Sequence, residues 1–461
     1  MHMRGRVRLI GAGAAAAILG PLALWSVWDK DGNEDEDEAP RLVPTDLRDR
    51  DPDATPAARR IYTFLAGLEN DARRGRPSRT LIGQHVELHN ERYNPKYGDY
   101  RGTKQPGYYY KKAQDITGRL PGFLELDLGP GYGQPGWAVG QARSYNGSWP
   151  SCRRDWGYVE DAVDLAVGVW AGLPRAADGS YRSSGTHTEC FSGARVSLPR
   201  NGGAPAGLVG FSFHQPYPGS PVKSFEQTKF RNSPGADDPG WFRRVVTEDS
   251  PEHRALLHDL DFLADHLGYL ADQGVPVLLR PYHEMNTAPD HGFWWAGQDP
   301  AAFHRLWRLT YDHLVHRRGL HNLLFVWAPN SWHGGSVRDP HAYYPGGRYV
   351  DLVGVDDYSD TPAEPYGGGA WTEVWYRGLE RYRRPRIMAE SFHVPLNAAQ
   401  PETLNRTPWV LWTVWGQALS YENLSAPRHR NTAADVRRTY GSPRTITSGD
   451  HFPASDASDA S

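Results

Sequence analysis

The sequence is poor in cysteine, carries no excess of either charge, and lacks several motifs that would assign it quickly. Cys152 and Cys190 are its two cysteines in 461 residues. They make no CxxC and no paired Cys/His spacing, so nothing marks a structural zinc site. Lys and Arg number 51 against 54 Asp and Glu, a net charge of −3. That balance lacks the basic footprint that nucleic acid requires. No GxGxxG both follows a strand and opens a helix, there is no GxSxG elbow, and no phosphate-binding loop occurs. His283-Glu284 begins an HExxH pattern, but Thr287 stands where the second histidine belongs, and the zinc-protease motif fails. His283 with His291 is the weaker metal pairing that remains. No cofactor is implied, and no short internal repeat is present.

What the chain does have is turns and aromatics. Its 49 Gly and 37 Pro imply long loops, while 17 Trp and 24 Tyr argue against disorder. Aromatic residues in loops make platforms for sugar rings or bases, and the near-neutral charge favours sugars.

Arg4, Arg6 and Arg8 precede a 20-residue run, Leu9 to Trp28, whose one polar side chain is Ser26. Residues 1–28 are therefore read as a signal or membrane-anchor segment, with the rest of the chain outside the cell. An uncleaved anchor and a cleaved signal both fit. No cysteine lies near the run, which excludes a lipoprotein anchor. Residues 29–54 open with a mostly acidic stretch, Asp29 to Glu38, and are expected to form a stalk or linker. In that compartment Cys152 and Cys190 either close a loop of about 37 residues as a disulfide or stand as two buried thiols.

From residue 55 the pattern changes. Ala57–Ala72 has helical spacing of apolar residues, and so do His253–Gln273, Pro300–Arg318 and Thr372–Arg381. Eight short apolar runs read as strands: Thr80–Gln84, Gly122–Asp127, Leu208–His214, Val275–Glu284, Asn322–Asn330, Asp351–Tyr358, Arg386–Glu390 and Trp409–Trp415. Alternation of this kind gives a parallel sheet. Eight units over residues 55–450 favour a (β/α)8 TIM barrel over an open sheet. From Glu284 to Glu390 is 106 residues, about 35 for each of three units. Longer gaps after strands two and three predict inserted loops there, across 128–206 and 215–270. Residues 451–461 read as a disordered tail.

In such barrels the active site lies at the C-terminal ends of the strands. Strand four ends in Arg280-Pro281-Tyr282-His283-Glu284, and strand seven ends in Ala389-Glu390. Two carboxylates at one mouth are what retaining glycoside hydrolysis needs, one as nucleophile and one as general acid and then base. Taken alone, each strand-end Glu is equally a buried ion-pair partner for an Arg such as Arg280.

The run Arg280-Pro281-Tyr282-His283-Glu284-Met285-Asn286, followed by Gly292-Phe293-Trp294-Trp295, resembles the acid/base motif of glycoside hydrolase family 26. Those are (β/α)8 enzymes, chiefly endo-acting β-mannanases. Ile82-Gly83-Gln84-His85 resembles the family's first strand and Phe211-Ser212-Phe213-His214 its third. Tyr344 to Asp351, running into Gly354-Val355-Asp356-Asp357-Tyr358, resembles its sixth. The resemblance covers about residues 55–450. It implies a retaining endo-β-1,4-mannanase with Glu284 as acid/base and Glu390 as nucleophile. It also implies that Tyr358 holds the nucleophile and that His214 and His283 contact the sugar beside the scissile bond. Trp415 would make the stacking floor, with Trp412 as the other candidate, and Trp295 a further substrate contact; Trp294 or Trp295 would also give the acid an apolar wall.

The chain departs from the family in two places. The loop Asn286-Thr287-Ala288-Pro289-Asp290-His291-Gly292 is longer and lacks a leaving-group-side Trp. Gly416 stands where mannanases carry a charged residue. The same mechanism on β-1,3-xylan or mixed-linkage β-glucan, exo action on manno-oligosaccharides, and a non-catalytic carbohydrate-binding barrel are the alternatives. A polysaccharide or oligosaccharide is the expected partner, with the protein a monomer, secreted or anchored to the outer face of the membrane.

Overall fold

The computed structural model describes residues 41–86, 108–129, 137–138, 157–171, 207–331, 337–358, 373–398, 400–419, 431–448 and 450. The apolar run 9–28, the acidic stretch 29–38, both cysteines and the tail 451–461 lie outside the described residues. Among the described residues no helix is long and apolar enough to cross a membrane.

Eight strands close into a parallel barrel. They are β1 (Thr80–His85), β2 (Phe123–Asp127), β3 (Leu208–Phe213), β4 (Val277–Pro281), β5 (Leu323–Trp327), β6 (Leu352–Asp357), β7 (Arg386–Ser391) and β8 (Leu411–Val414). Each pairs with the next, and β8 pairs with β1 to complete the ring. All eight expected strands are found. Every strand residue is buried, which is why these strands read as continuous apolar runs rather than as alternations.

Three helices begin one or two residues earlier than, or where, their apolar periodicity starts, because each opens with proline behind a capping side chain. Thr55 accepts from the Ala58 amide before α1 (Pro56–Arg73), Ser250 from the His253 amide before α2 (Pro251–Asp272), and Asp299 from the Ala302 amide before α3 (Pro300–Tyr311). After α3 the chain widens into a π-helical turn over Asp312–Arg317.

Residues facing into the barrel alternate along each strand and stack in layers. The lower layer is apolar and includes Phe123, Leu278 and Ile387. Gly83 and Gly210 make room for the Phe123 ring: a Cβ on them would stand 2.7 and 2.5 Å from its atoms. Two positions further along, the same faces carry Glu125 above Phe123 and Arg280 above Leu278. The barrel is therefore greasy at its N-terminal end and charged towards its C-terminal mouth.

The two long connections meet. Trp137–Ala138, after β2, pairs antiparallel with Val222–Lys223, after β3. The buried Lys223–Asp259 ion pair at 2.9 Å then ties that ribbon to α2.

One expected boundary is corrected. Residues 41–54, assigned above to a solvated linker, are part of the folded unit. Val43, Leu47 and Ala54 join the core cluster beneath the barrel, Arg50 pairs with Asp351 at 2.7 Å, and the Thr55 amide donates to His321. Their apolar residues are too sparse and too interrupted by charge to show periodicity, so composition alone misled.

Candidate active site

Glu390 reaches the barrel mouth through an irregularity in its strand. Val355 of β6 stands opposite Met388, yet Asp356, the next residue, stands opposite Glu390. Ala389 is the extra residue of a bulge, and a bulge re-aims the side chain beside it. Both oxygens of Glu390 then accept: Oε1 from the guanidinium of Arg280 and Oε2 from the hydroxyl of Tyr358. The expected Tyr358–Glu390 contact is present.

Glu284 is aimed by a turn. β4 stops at Pro281, and Tyr282 and Glu284 then take positive φ values of 50° and 55°. Each such non-glycine residue costs on the order of 1–3 kcal/mol, a cost that persists only when surroundings over-determine it. They do so here. The Tyr282 hydroxyl meets Thr310 at 2.8 Å, the Glu284 amide donates to Ala328, and the Trp295 indole donates to the His283 carbonyl at 2.8 Å. Loss of water contact, reinforced by the charge of Glu390, pushes the Glu284 carboxyl up to about 7.

Arg280 organises the floor. Besides Glu390, it pairs with Glu125 at 2.8 Å and with Asp356 at 2.8 Å. One guanidinium thus faces three buried carboxylates. Burial pushes Glu125 up to about 7, against the pull of Arg280, and pushes Asp356 well above the usual carboxylate range. The Tyr358 hydroxyl is also pushed up, by burial and by Glu390.

The two histidines stand side by side, with ring centroids 4.7 Å apart and nearly perpendicular planes. Asp127 fixes His214: its Oδ2 meets Nδ1 at 2.5 Å and also accepts from Ser212 at 2.6 Å. Burial, and after it Arg280, lowers the His283 imidazole well below the usual histidine range, so it is neutral. Phe293 lies against both rings at 5.1 and 5.0 Å.

The structure sorts the tryptophans. Trp415 directly follows β8 and is partly exposed, stacked on His85 at 4.2 Å and edge-on to Tyr358. Trp412 is fully buried and donates to the His393 carbonyl. Of these two tryptophans, Trp415 is the one at the mouth. The placing of Trp295 as a sugar contact is corrected: it is 0 % exposed, stacked behind Phe293 at 4.6 Å and bonded to the backbone of His283. It holds the strand-four turn and offers no free face. Trp294 is equally buried and bonds Gln215, clasping the loop after β3.

Glu284, Glu390, Tyr358, His214, His283 and Trp415 therefore come to one mouth. The sequence reading missed Glu125, Asp127 and Asp356. Their signal was present: charged residues at alternate positions of Phe123-Leu124-Glu125-Leu126-Asp127 cannot face a helix layer, so they face the barrel axis. It also missed Lys229, which no motif marks.

A model of the family described as glycosyl hydrolase family 26 matches residues 183–375. A mannan endo-1,4-β-mannosidase A and B of Caldalkalibacillus mannanilyticus is 33% identical over 164 residues, 34% of this chain and 29% of that protein. A mannan endo-1,4-β-mannosidase of Bacillus subtilis is 29% identical over 194 residues, 40% of this chain and 48% of that protein. The chain thus spans less than half the length of these curated relatives. Among solved structures, a Bacillus subtilis mannanase aligns with a TM-score of 0.58 at 19% identity, over 90% of this chain and 100% of that one. A Podospora anserina β-(1,4)-mannanase aligns with a TM-score of 0.55 at 20% identity, over 89% and 70%. These neighbours share the (β/α)8 barrel, and the likeness to family 26 read from the strand ends stands.

Proposed function

We propose, with the likeness to glycosyl hydrolase family 26 as premise, that this chain is a retaining, endo-acting hydrolase of β-1,4-mannosidic bonds in mannan-type polysaccharides. One observation supports this above the rest. Two carboxylates within electrostatic reach of each other have opposite surroundings: Glu390 accepts from two donors, while Glu284 keeps its proton to about pH 7. Such a pair assigns nucleophile and acid.

In the first step Glu390 attacks the anomeric carbon as the glycosidic C–O bond breaks, and Glu284 gives its proton to the departing oxygen. The negative charge of Glu390 is consumed in the ester. Glu284, now a carboxylate without a charged neighbour at 390, takes a proton from water as that water attacks the same carbon. The ester breaks, and both groups return to their starting states. Arg280 and Tyr358 hold the nucleophile, His214 and His283 contact the sugar at the scissile bond, and Trp415 floors the subsite with its remaining face. Arg4, Arg6 and Arg8 before the apolar run favour a chain that lies outside the cell, secreted or anchored, and within this reading it acts as a monomer. Cell fractionation with mass determination of the mature N-terminus, and light scattering, test those three statements.

The functional test uses β-1,4-mannan, glucomannan, mixed-linkage β-glucan and β-1,3-xylan, with product size and anomeric configuration followed by proton NMR. Mixed-length oligosaccharides released from mannan first as the β-anomer are expected. Products from another glycan alone would move the specificity. Inverted products would overturn the mechanism, and no product from any of them would favour a binding barrel.

A further inference from the structure

We propose that Lys229 is a positioning residue for the acid/base: its ammonium group, set over Phe225 and Phe293, favours the carboxylate that Glu284 becomes on giving up its proton. This inference rests on the assignment of Glu284 made above.

Lys229 lies in the loop after β3, far in sequence from either carboxylate, and the backbone brings it to the mouth. It forms an isolated antiparallel bridge with Phe293. On either side, the Trp294 amide donates to Thr228 at 2.9 Å and the Phe230 amide to Gly292 at 3.1 Å. The loop after β3 is thus laced to the loop that follows Glu284. The Nζ stands 4.2 Å from the centroid of Phe293 and 4.8 Å from that of Phe225. Among the described residues the ammonium has neither a carboxylate within ion-pair distance nor a hydrogen bond. Burial pulls it below the usual lysine range, and Glu284 and Glu226 oppose that pull. Glu226 is already paired with Arg231 at the exposed rim.

The charged groups that act on Glu284 are Glu390, Lys229, Arg280 and His214, while Asp356 and Tyr358 respond to it in turn. Arg280 is shared among Glu125, Asp356 and Glu390, and the His214 ring is bonded to Asp127. Among the described residues, Lys229 is the one of these groups that has no carboxylate within ion-pair distance. In the first chemical step negative charge leaves Glu390 and appears on Glu284 as its proton passes to the departing oxygen. A fixed ammonium near Glu284 therefore interacts more strongly with the transition state than with the ground state, which is the condition for accelerating that step.

The test compares the full chain with its Lys229→Met and Lys229→Arg variants. The Glu284 carboxyl is followed by carbon-13 NMR, assigned against Glu284→Gln, and folding is checked by thermal unfolding. Lys229→Met is expected to raise the midpoint of Glu284 by about one pH unit and to move the upper limb of kcat/KM with it. Turnover of manno-oligosaccharides should fall about tenfold, while a dinitrophenyl glycoside, whose leaving group needs no proton, changes little. Lys229→Arg should restore the midpoint. An unmoved midpoint in a folded Lys229→Met variant would overturn the role of Lys229 whatever the turnover. Absent turnover of every glycan by the unaltered protein would instead overturn the glycosidase reading, a separate result.

Discussion

At the scale of single residues, the mouth has more carboxylates than cations, and protons make up the difference. Glu284 and Glu125 are both pushed up to about 7, but they do different work. The protonated form of Glu284 is the acid, so kcat/KM should fall as pH rises through about 7. Glu284→Gln should abolish that limb and slow polysaccharide hydrolysis by roughly 10²- to 10⁴-fold, whereas Glu125→Gln should keep the limb. Pre-steady-state and pH–rate measurements on the two variants distinguish the acid from its buried neighbour. Arg280 is the counter-case. Arg280→Met leaves Glu125, Asp356 and Glu390 without their common cation, and removing one side of a buried ion pair costs about 3–5 kcal/mol. The sign with pH follows from Glu125 and Asp356: burial already raises their folded-state pKa values, and without the guanidinium they rise further, so the variant should lose stability as pH climbs from 5 to 8. Urea unfolding at those two values reads it.

At the scale of elements, the strands were legible and the irregularities were not. Apolar runs of five to ten residues marked every barrel strand, because strands buried on both faces need no alternation. The strand-end rule then located Glu284 and Glu390. What alternation could not give is how either carboxylate points inward. In a regular β7, Ile387, Ala389 and Ser391 would share the inner face, and Glu390 would face the helices; the bulge at Ala389 reverses that. On β4 the positive φ of Tyr282 and Glu284 does the same service. The error at Trp295 has a related origin. A Trp in a Phe-Trp-Trp run reads as a sugar contact, but the loop after β3 packs on Trp294, and Trp295 lies behind Phe293 against Tyr282 and Trp294, leaving Phe293 nearer the histidines. Local sequence does not report which loop covers which. Small residues inside the barrel were equally silent. Gly210→Ala would put a methyl group 2.5 Å from the Phe123 ring and near the Leu278 carbonyl. An overpacked core position of this kind costs about 1–3 kcal/mol, and a lowered Tm with the substrate KM unchanged is the expected result.

At the scale of the whole molecule, the barrel is closed from below by chain that its own repeats do not supply. Asp351 immediately precedes β6, and its carboxylate holds both Arg50 and the Phe325 amide. Asp51 meets His321 at 2.9 Å, just before β5. Residues 41–54 therefore dock at the N-terminal ends of the strands, the end opposite Glu284 and Glu390. Residues that plug the bottom of such a barrel contribute to stability, and those at its mouth to chemistry. The separation can be tested by trimming. A chain beginning at residue 41 keeps Val43, Leu47 and the Arg50–Asp351 pair. A chain beginning at residue 55 exposes the apolar surface those two side chains cover, at about 1.5–3 kcal/mol each, and leaves Asp351 buried without its guanidinium. The first truncation should unfold at the temperature of the full chain. The second should unfold several degrees lower, yet at a temperature where both are folded it should retain the same KM and the same pH–rate profile, because nothing it removes lies near the mouth. An unchanged Tm for the second truncation would mean that the packing beneath the barrel contributes nothing, and that the chemistry-bearing unit begins where sequence periodicity first suggested, at residue 55.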